Sequence, residues 1–243
     1  MAYRNAPAVP SAVLVLLLAL GACHAPTYSP SFDEGIPLDQ LPLTGPAPTE
    51  LIMAGPDRAV ITPGDHLAIS VEGPDEARAV LRFARKGSTL TIDRKAGTHA
   101  AGSATLHITM PAPTSLTAAG SGEIDTPAMA PAKAEITIAG SGNVVANGLA
   151  LDRLELTIAG SGSARLAGHA KALELNIAGT GNGDMAGLSV DKADITIAGT
   201  GNARLASDGL VSASIVGSGT VVVRGKAQCK VSSVGSGRLD CAP

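Results

Sequence analysis

The 243-residue sequence has no Trp, two Tyr, two Phe and three Cys. After Phe83 it has no aromatic residue at all, so any core in the second half must be aliphatic. The ring platforms on which sugar-processing grooves usually stack their substrates are missing there too. No apolar run reaches the roughly 18 residues of a transmembrane helix. Neither sign of charge dominates: 18 basic and 21 acidic residues leave a formal charge of −3 and a pI near 5.9. This argues against a nucleic-acid partner, which would favour a basic face. The five His, at positions 24, 66, 99, 107 and 169, show no metal-ligand spacing such as HExxH, and no G-x-S-x-G elbow occurs. The sequence therefore nominates no catalytic residue, metal or cofactor.

What is plentiful is glycine, 29 residues or about 12% against an ordinary 7% or so. Hydrophobic residues make up 45% of the chain, nearly all Ala, Val, Leu and Ile, enough to bury a core. At the N-terminus, Arg4 precedes the short apolar run Val13 to Leu20 and then Leu20-Gly21-Ala22-Cys23. This arrangement resembles a bacterial lipobox. The resemblance implies a signal peptide over 1–22, cleavage before Cys23, and lipidation of Cys23 as a membrane anchor. His24 rather than Asp follows the cysteine, which by resemblance to enterobacterial sorting favours the outer membrane. Residues 23–48 contain Pro26, Pro30, Pro37, Pro42, Pro46 and Pro48 with little apolar periodicity, and read as a semi-extended tether.

The second half is organised by a repeat. Gly-[Ser/Thr]-Gly recurs seven times, its first glycines being Gly120, Gly140, Gly160, Gly179, Gly199, Gly217 and Gly235, at spacings of 20, 20, 19, 20, 18 and 18. Two, four and six residues before these glycines the chain is mostly apolar, as in Leu154, Leu156 and Ile158 or Leu173, Leu175 and Ile177; four and six after them come Ala164 and Leu166 or Val221 and Val223. Period-two alternation marks strands with one buried face. A second glycine follows in four repeats, Gly148, Gly168, Gly187 and Gly225, and reads as a second turn. Whole units repeated in one phase, with turns too short for crossover helices, predict an all-β parallel β-solenoid over 117–243, its rungs about 4.8 Å apart. The competing architecture is an antiparallel meander turning at each Gly-Ser-Gly. Residues 49–116 lack the period but show strand-like stretches at 59–62, 66–71, 79–84, 89–92 and 105–110, and read as an N-terminal β-strand cap over an otherwise open edge.

The stretches LTIDRK, LHITMPAPTSLTAAGSGEI, ITIAGSGN, LNIAGTGN and ITIAGTGN together resemble the DUF2807 family, the auto-transporter adhesin head GIN domain, over roughly residues 55–240. The resemblance implies an exported, often lipidated β-helical protein with a surface-binding role. It carries over no catalytic or cofactor residue.

Three sets of side chains are candidates for sites or staples. Cys229 and Cys241 lie six residues before and after Gly235, at positions that face each other across a rung, and in an exported chain this predicts a disulfide clamping the last rung. Glu135, Glu155, Glu174 and Asp194 recur five residues before the corner glycine. This acidic ladder suits cations or a basic partner, but Lys133, Arg153 and Lys192 two residues earlier make a solvated salt-bridge lattice the preferred reading. Ser141, Ser161, Thr180 and Thr200, with Asn143, Asn182 and Asn202, form a polar edge suited to a glycan or protein ligand; the plainer reading is that they cap turn amides. The enzymatic alternative is a periplasmic polysaccharide-processing β-helix, and a third reading is a purely structural envelope component.

Overall fold

The computed structural model describes residues 35–98 and 101–242; the apolar leader and Cys23 lie outside the described residues. The described residues form one compact unit. After a 3-10 turn at Leu38–Gln40 come β1 (Glu50–Gly55), β2 (Arg58–Pro63), β3 (Ala68–Glu72), α1 (Asp75–Ala79), β4 (Leu81–Lys86), β5 (Thr89–Arg94) and β6 (Thr105–Met110). The repeats supply β7 (Ser115–Gly120), β8 (Glu123–Thr126), β9 (Lys133–Gly140), β10 (Asn143–Gly160), β11 (Ser163–Gly179), β12 (Asn182–Gly199), β13 (Asn202–Ala206), β14 (Leu210–Gly217), β15 (Thr220–Arg224), β16 (Gln228–Gly235) and β17 (Arg238–Ala242).

The repeats stack as a parallel β-solenoid, with each corner glycine in register with the next: Gly120 on Gly140, Gly140 on Gly160, and onward to Gly217 on Gly235. On one side of the corners run β7, β9, the C-terminal halves of β10, β11 and β12, then β14 and β16. On the other run β8, the N-terminal ends of β10, β11 and β12, then β13, β15 and β17. The period-two positions fill the space between, where Leu154, Leu156, Ile158, Leu173, Leu175, Ile177, Ala164, Leu166, Val221 and Val223 are all buried. Because each rung rests directly on the one before, a Cβ at the second corner glycine has no room. Built on Gly162, it would stand 2.5 Å from both the Gly142 carbonyl oxygen and Ile138 Cγ2. The first corner glycine is required twice over: its φ is positive, +122° at Gly160, and a Cβ there would stand 2.4 Å from the Gly140 carbonyl oxygen.

The second glycines do not all turn the chain straight back. In β10, β11 and β12 the strand continues past the bend and forms a short third side, pairing Leu149 with Gly168, Leu151 with Ala170 and then Ala170 with Val190. Leu149, Leu151, Leu188 and Val190 bury inward from it. Rung length explains the difference: the rungs ending at Gly160, Gly179 and Gly199 hold 19 or 20 residues, whereas the two 18-residue rungs have no residues left for a third side and turn tightly at Ser207–Gly209 and Gly225–Ala227.

The stack also continues on the N-terminal side of Ser115. Strand β1 pairs in parallel with β7, with Gly55 on Gly120, and β2 pairs with β8. Beyond them β5 pairs in parallel with β1, and β6 with β2. The rung formed by β1 and β2 is thus inserted between two rungs that follow it in sequence. The outer flanks are antiparallel, β3 on β6 and β4 on β5. Part of the expected strand at 79–84 is helix α1, and β1 was not among the expected strands. Within the Pro-rich segment, Ile36 exchanges backbone hydrogen bonds with Phe83, and the Arg85 guanidinium donates to the carbonyls of Pro42 (3.1 Å), Thr44 (2.9 Å) and Pro46. Residues 36–46 are therefore held against β4 rather than free as spacer.

Candidate functional site

The corner row is the most regular surface feature. Ser141, Ser161, Thr180 and Thr200 are all exposed, one per rung. Their backbone amides do not need the side chains, because the carbonyl of the preceding rung already accepts them: Ser141 N–H to Gly120 O (2.8 Å), Ser161 N–H to Gly140 O (2.9 Å), Thr180 N–H to Gly160 O (2.9 Å) and Thr200 N–H to Gly179 O (2.9 Å). This corrects the expectation that the hydroxyls cap turn amides. The parallel stacking does the capping and leaves the hydroxyls facing solvent. The neighbouring asparagines bond along the stack instead. Ser163 Oγ donates to Asn143 Oδ1 (2.5 Å), Asn202 Nδ2 donates to Asn182 Oδ1 (3.3 Å), and Asn202 Oδ1 accepts from the Thr220 amide (3.2 Å).

The acidic ladder is largely neutralised by its neighbours. Lys133 reaches Glu155 (3.0 Å), Arg153 bridges Glu155 (2.8 Å) and Glu174 (2.6 Å), and Lys192 meets Asp194 (3.1 Å). Hydrogen bonds from Lys133 and then Arg153 hold the Glu155 carboxyl below the ordinary glutamate range. Glu135, on the same column, is exposed. Among the described residues no group of three or more His, Cys, Asp or Glu is placed to hold a metal ion.

Cys229 and Cys241 form a disulfide across the last rung, with their Cα atoms 6.8 Å apart. A second lock, which sequence reasoning missed, sits at the opposite end. Asp57, 1% exposed, replaces the last glycine of the corner triplet as Gly55-Pro56-Asp57. It accepts from Arg94 Nε (2.8 Å) and Nη2 (2.7 Å) and from the Ala104 amide (2.7 Å). The bond to Asp57 holds the Arg94 guanidinium pKa above its ordinary value against the opposing effect of burial. The only sequence cue was that Gly55-Pro56-Asp57 is followed, as each Gly-[Ser/Thr]-Gly is, by an alternating strand.

Solved structures share this fold. A protein described as "putative adhesin" from Bacteroides fragilis superposes with a TM-score of 0.74 at 19% identity, covering 80% of this chain and 92% of that one. A "putative lipid binding protein" from Parabacteroides distasonis gives 0.63 at 22%, covering 82% and 94%. A "putative adhesin" from Parabacteroides merdae gives 0.57 at 19%, covering 82% and 93%. No curated protein matches the sequence significantly. Residues 47–227, from just before β1 to the turn before β16, match the family described as "Putative auto-transporter adhesin, head GIN domain", and this chain belongs to that family, DUF2807.

Proposed function

We propose that this chain is an exported lipoprotein, acylated at Cys23 and held at the outer membrane, whose solenoid is a non-catalytic binding module for a glycan or protein ligand. The observation that carries the reading is the row of exposed hydroxyls at Ser141, Ser161, Thr180 and Thr200, one per rung and released from turn capping by the stacked backbone. A row repeated about every 4.8 Å presents many equivalent weak contacts, so affinity builds by multivalency rather than from one pocket. The adhesin descriptions of the family and of two structural relatives support the same reading.

The mature chain, pulled down from intact envelopes and screened on a glycan array, should capture a ligand. Replacing Ser161 alone should leave capture nearly intact, whereas replacing Ser141, Ser161, Thr180 and Thr200 together should abolish it. A chain that captures nothing from either source is not an adhesin. Polysaccharide turnover abolished by Glu155→Gln alone would identify the enzymatic alternative instead. Acylation is tested separately, by incorporation of a labelled fatty acid that Cys23→Ser should eliminate.

A further inference from the structure

A cavity of about 440 Å³ opens on the side of the solenoid formed by β12, β13 and β15, lined by Asp184, Ala186, Arg204, Leu205, Val222 and Arg224. It lies where the rungs shorten. The pairing of β12 with β13 jumps from Met185–Leu205 to Ser189–Ala206, so the intervening residues of β12 have no partner strand on the next rung. From there on the third side of the solenoid is absent, and the step leaves a notch.

The charges around this notch are unlike those elsewhere among the described residues. Arg204 pairs in register with Val222, and Ala206 with Arg224, so the two arginines are diagonal neighbours on one outward face. Neither makes a hydrogen bond or ion pair, whereas every other arginine among the described residues forms an ion pair with a carboxylate or donates to a backbone carbonyl. Asp184 is the register neighbour of Arg204, yet its ion pair is to Arg165 on the other side, at 3.6 Å. Two like-charged guanidinium groups side by side repel each other, and an anionic group placed between them would relieve that repulsion. Their planar forks also match a carboxylate or phosphate in a way lysine does not.

We infer that this notch binds an acidic saccharide unit, its carboxylate or phosphate held between Arg204 and Arg224 and one of its hydroxyls donating to Asp184. The volume falls within the ordinary range of small-ligand sites, about 300–1,000 Å³. Ala186 and Val222 supply apolar surface for the C–H face of a sugar without an aromatic ring, while Leu205 is buried behind them. Asp184 in the notch, and Asp240 on β17 in register with Val222, oppose a continuous anionic surface and suit a ligand whose anionic groups are spaced among hydroxyls, one to a sugar unit. The inference rests on the reading of the solenoid as a glycan-binding surface and names the ligand class for one place on it.

The test is calorimetric titration of the mature full-length chain with trigalacturonate, its methyl ester, glucose 6-phosphate and phosphatidylglycerol vesicles. Trigalacturonate or glucose 6-phosphate should bind, the neutral ester should not, and added salt should weaken binding. Arg204→Gln and Arg224→Gln should each weaken binding about tenfold, as expected for loss of a charge-assisted contact. Lys230→Gln, on the far sheet, should leave it unchanged. Because both arginines are exposed, the melting temperature should not move, which separates lost binding from lost fold. Absence of binding to both acidic sugars, binding that survives both arginine substitutions, or binding to vesicles alone would each overturn the inference. Glycan capture through the hydroxyl row that persists in the arginine variants would leave the broader reading standing while this site fails.

Discussion

At the N-terminal end of the stack the outermost parallel strands, β5 and β6, are each covered by an antiparallel partner, while at the C-terminal end β16 and β17 are paired on one side only among the described residues. The covered end is built of polypeptide: β3, α1, β4 and the segment latched by Arg85, with Phe83 buried beneath, the one aromatic among the described residues. The uncovered end makes do with local chemistry. Ser233 stands where the previous rung has the buried Ile215, Val231 is left 53% exposed, and the disulfide ties the two strands together. A solenoid core is closed along its length by stacking, but each end needs its own solution. This chain covers one end and staples the other.

Breaking the covered end should have the largest effect. Asp57→Ala removes the carboxylate to which Arg94 Nε and Nη2 donate and the acceptor of the Ala104 amide, and should cost about 3–5 kcal/mol in urea unfolding. Asp57→Asn keeps an acceptor and should lose less, and a cost below about 1 kcal/mol for the alanine variant would mean that Asp57 is not the lock.

A pair of truncations measures how steeply burial falls toward the open end. Leu156→Ala, in the fully buried middle, should cost about 2–5 kcal/mol, whereas Val231→Ala should cost under about 1 kcal/mol. Equal costs would imply that something covers the last rung in solution. Reducing the disulfide, which spans 12 residues, should cost up to about 3 kcal/mol. In a quasi-one-dimensional fold that loss should stay local, so hydrogen exchange should speed up over 228–242 while β9 to β12 remain protected. Faster exchange along the whole stack would show that the staple holds more than its own rung.

The smallest effect belongs to the salt lattice on the middle rungs. The Glu155 pKa is lowered in the folded state, so its contribution is complete above the unfolded value of about 4.3 and is lost as pH falls through the lower folded value. With an exposed lattice this should amount to less than about 1 kcal/mol. Comparing acid unfolding of the parent with Glu155→Gln should reveal it as a difference that vanishes in acid.

The repeat made the solenoid legible because stacking imposes the same demand on every rung. Two glycines recur at each corner because neither Gly160 nor Gly162 has room for a Cβ, and Gly160 has a positive φ as well, while the inward positions stay aliphatic. The cysteine pairing followed from the same period, since Cys229 and Cys241 occupy positions that are inward on the five preceding rungs. Less could be read where one residue stands in for another. Asp57 ends a corner triplet without glycine, and its partner Arg94 lies 37 residues away, so no local pattern connects them. The third side of the middle rungs was hidden as well, because Gly148 and Gly168 look like turns until neighbouring rungs offer them a ladder. The capping role expected of the hydroxyls failed for the same kind of reason: the competing acceptor is a carbonyl on the rung before.

The sequence by itself determined the period, the inward and outward faces and the glycine corners, because each follows from steric rules that act within one rung and repeat unchanged. Only the tertiary structure decided the insertion of the β1–β2 rung between its successors, the partners of the ladder charges, and the placing of Arg204 and Arg224 around one notch. Those features depend on which rungs become neighbours and where rung length changes, and contacts of that kind exist only once the chain has stacked.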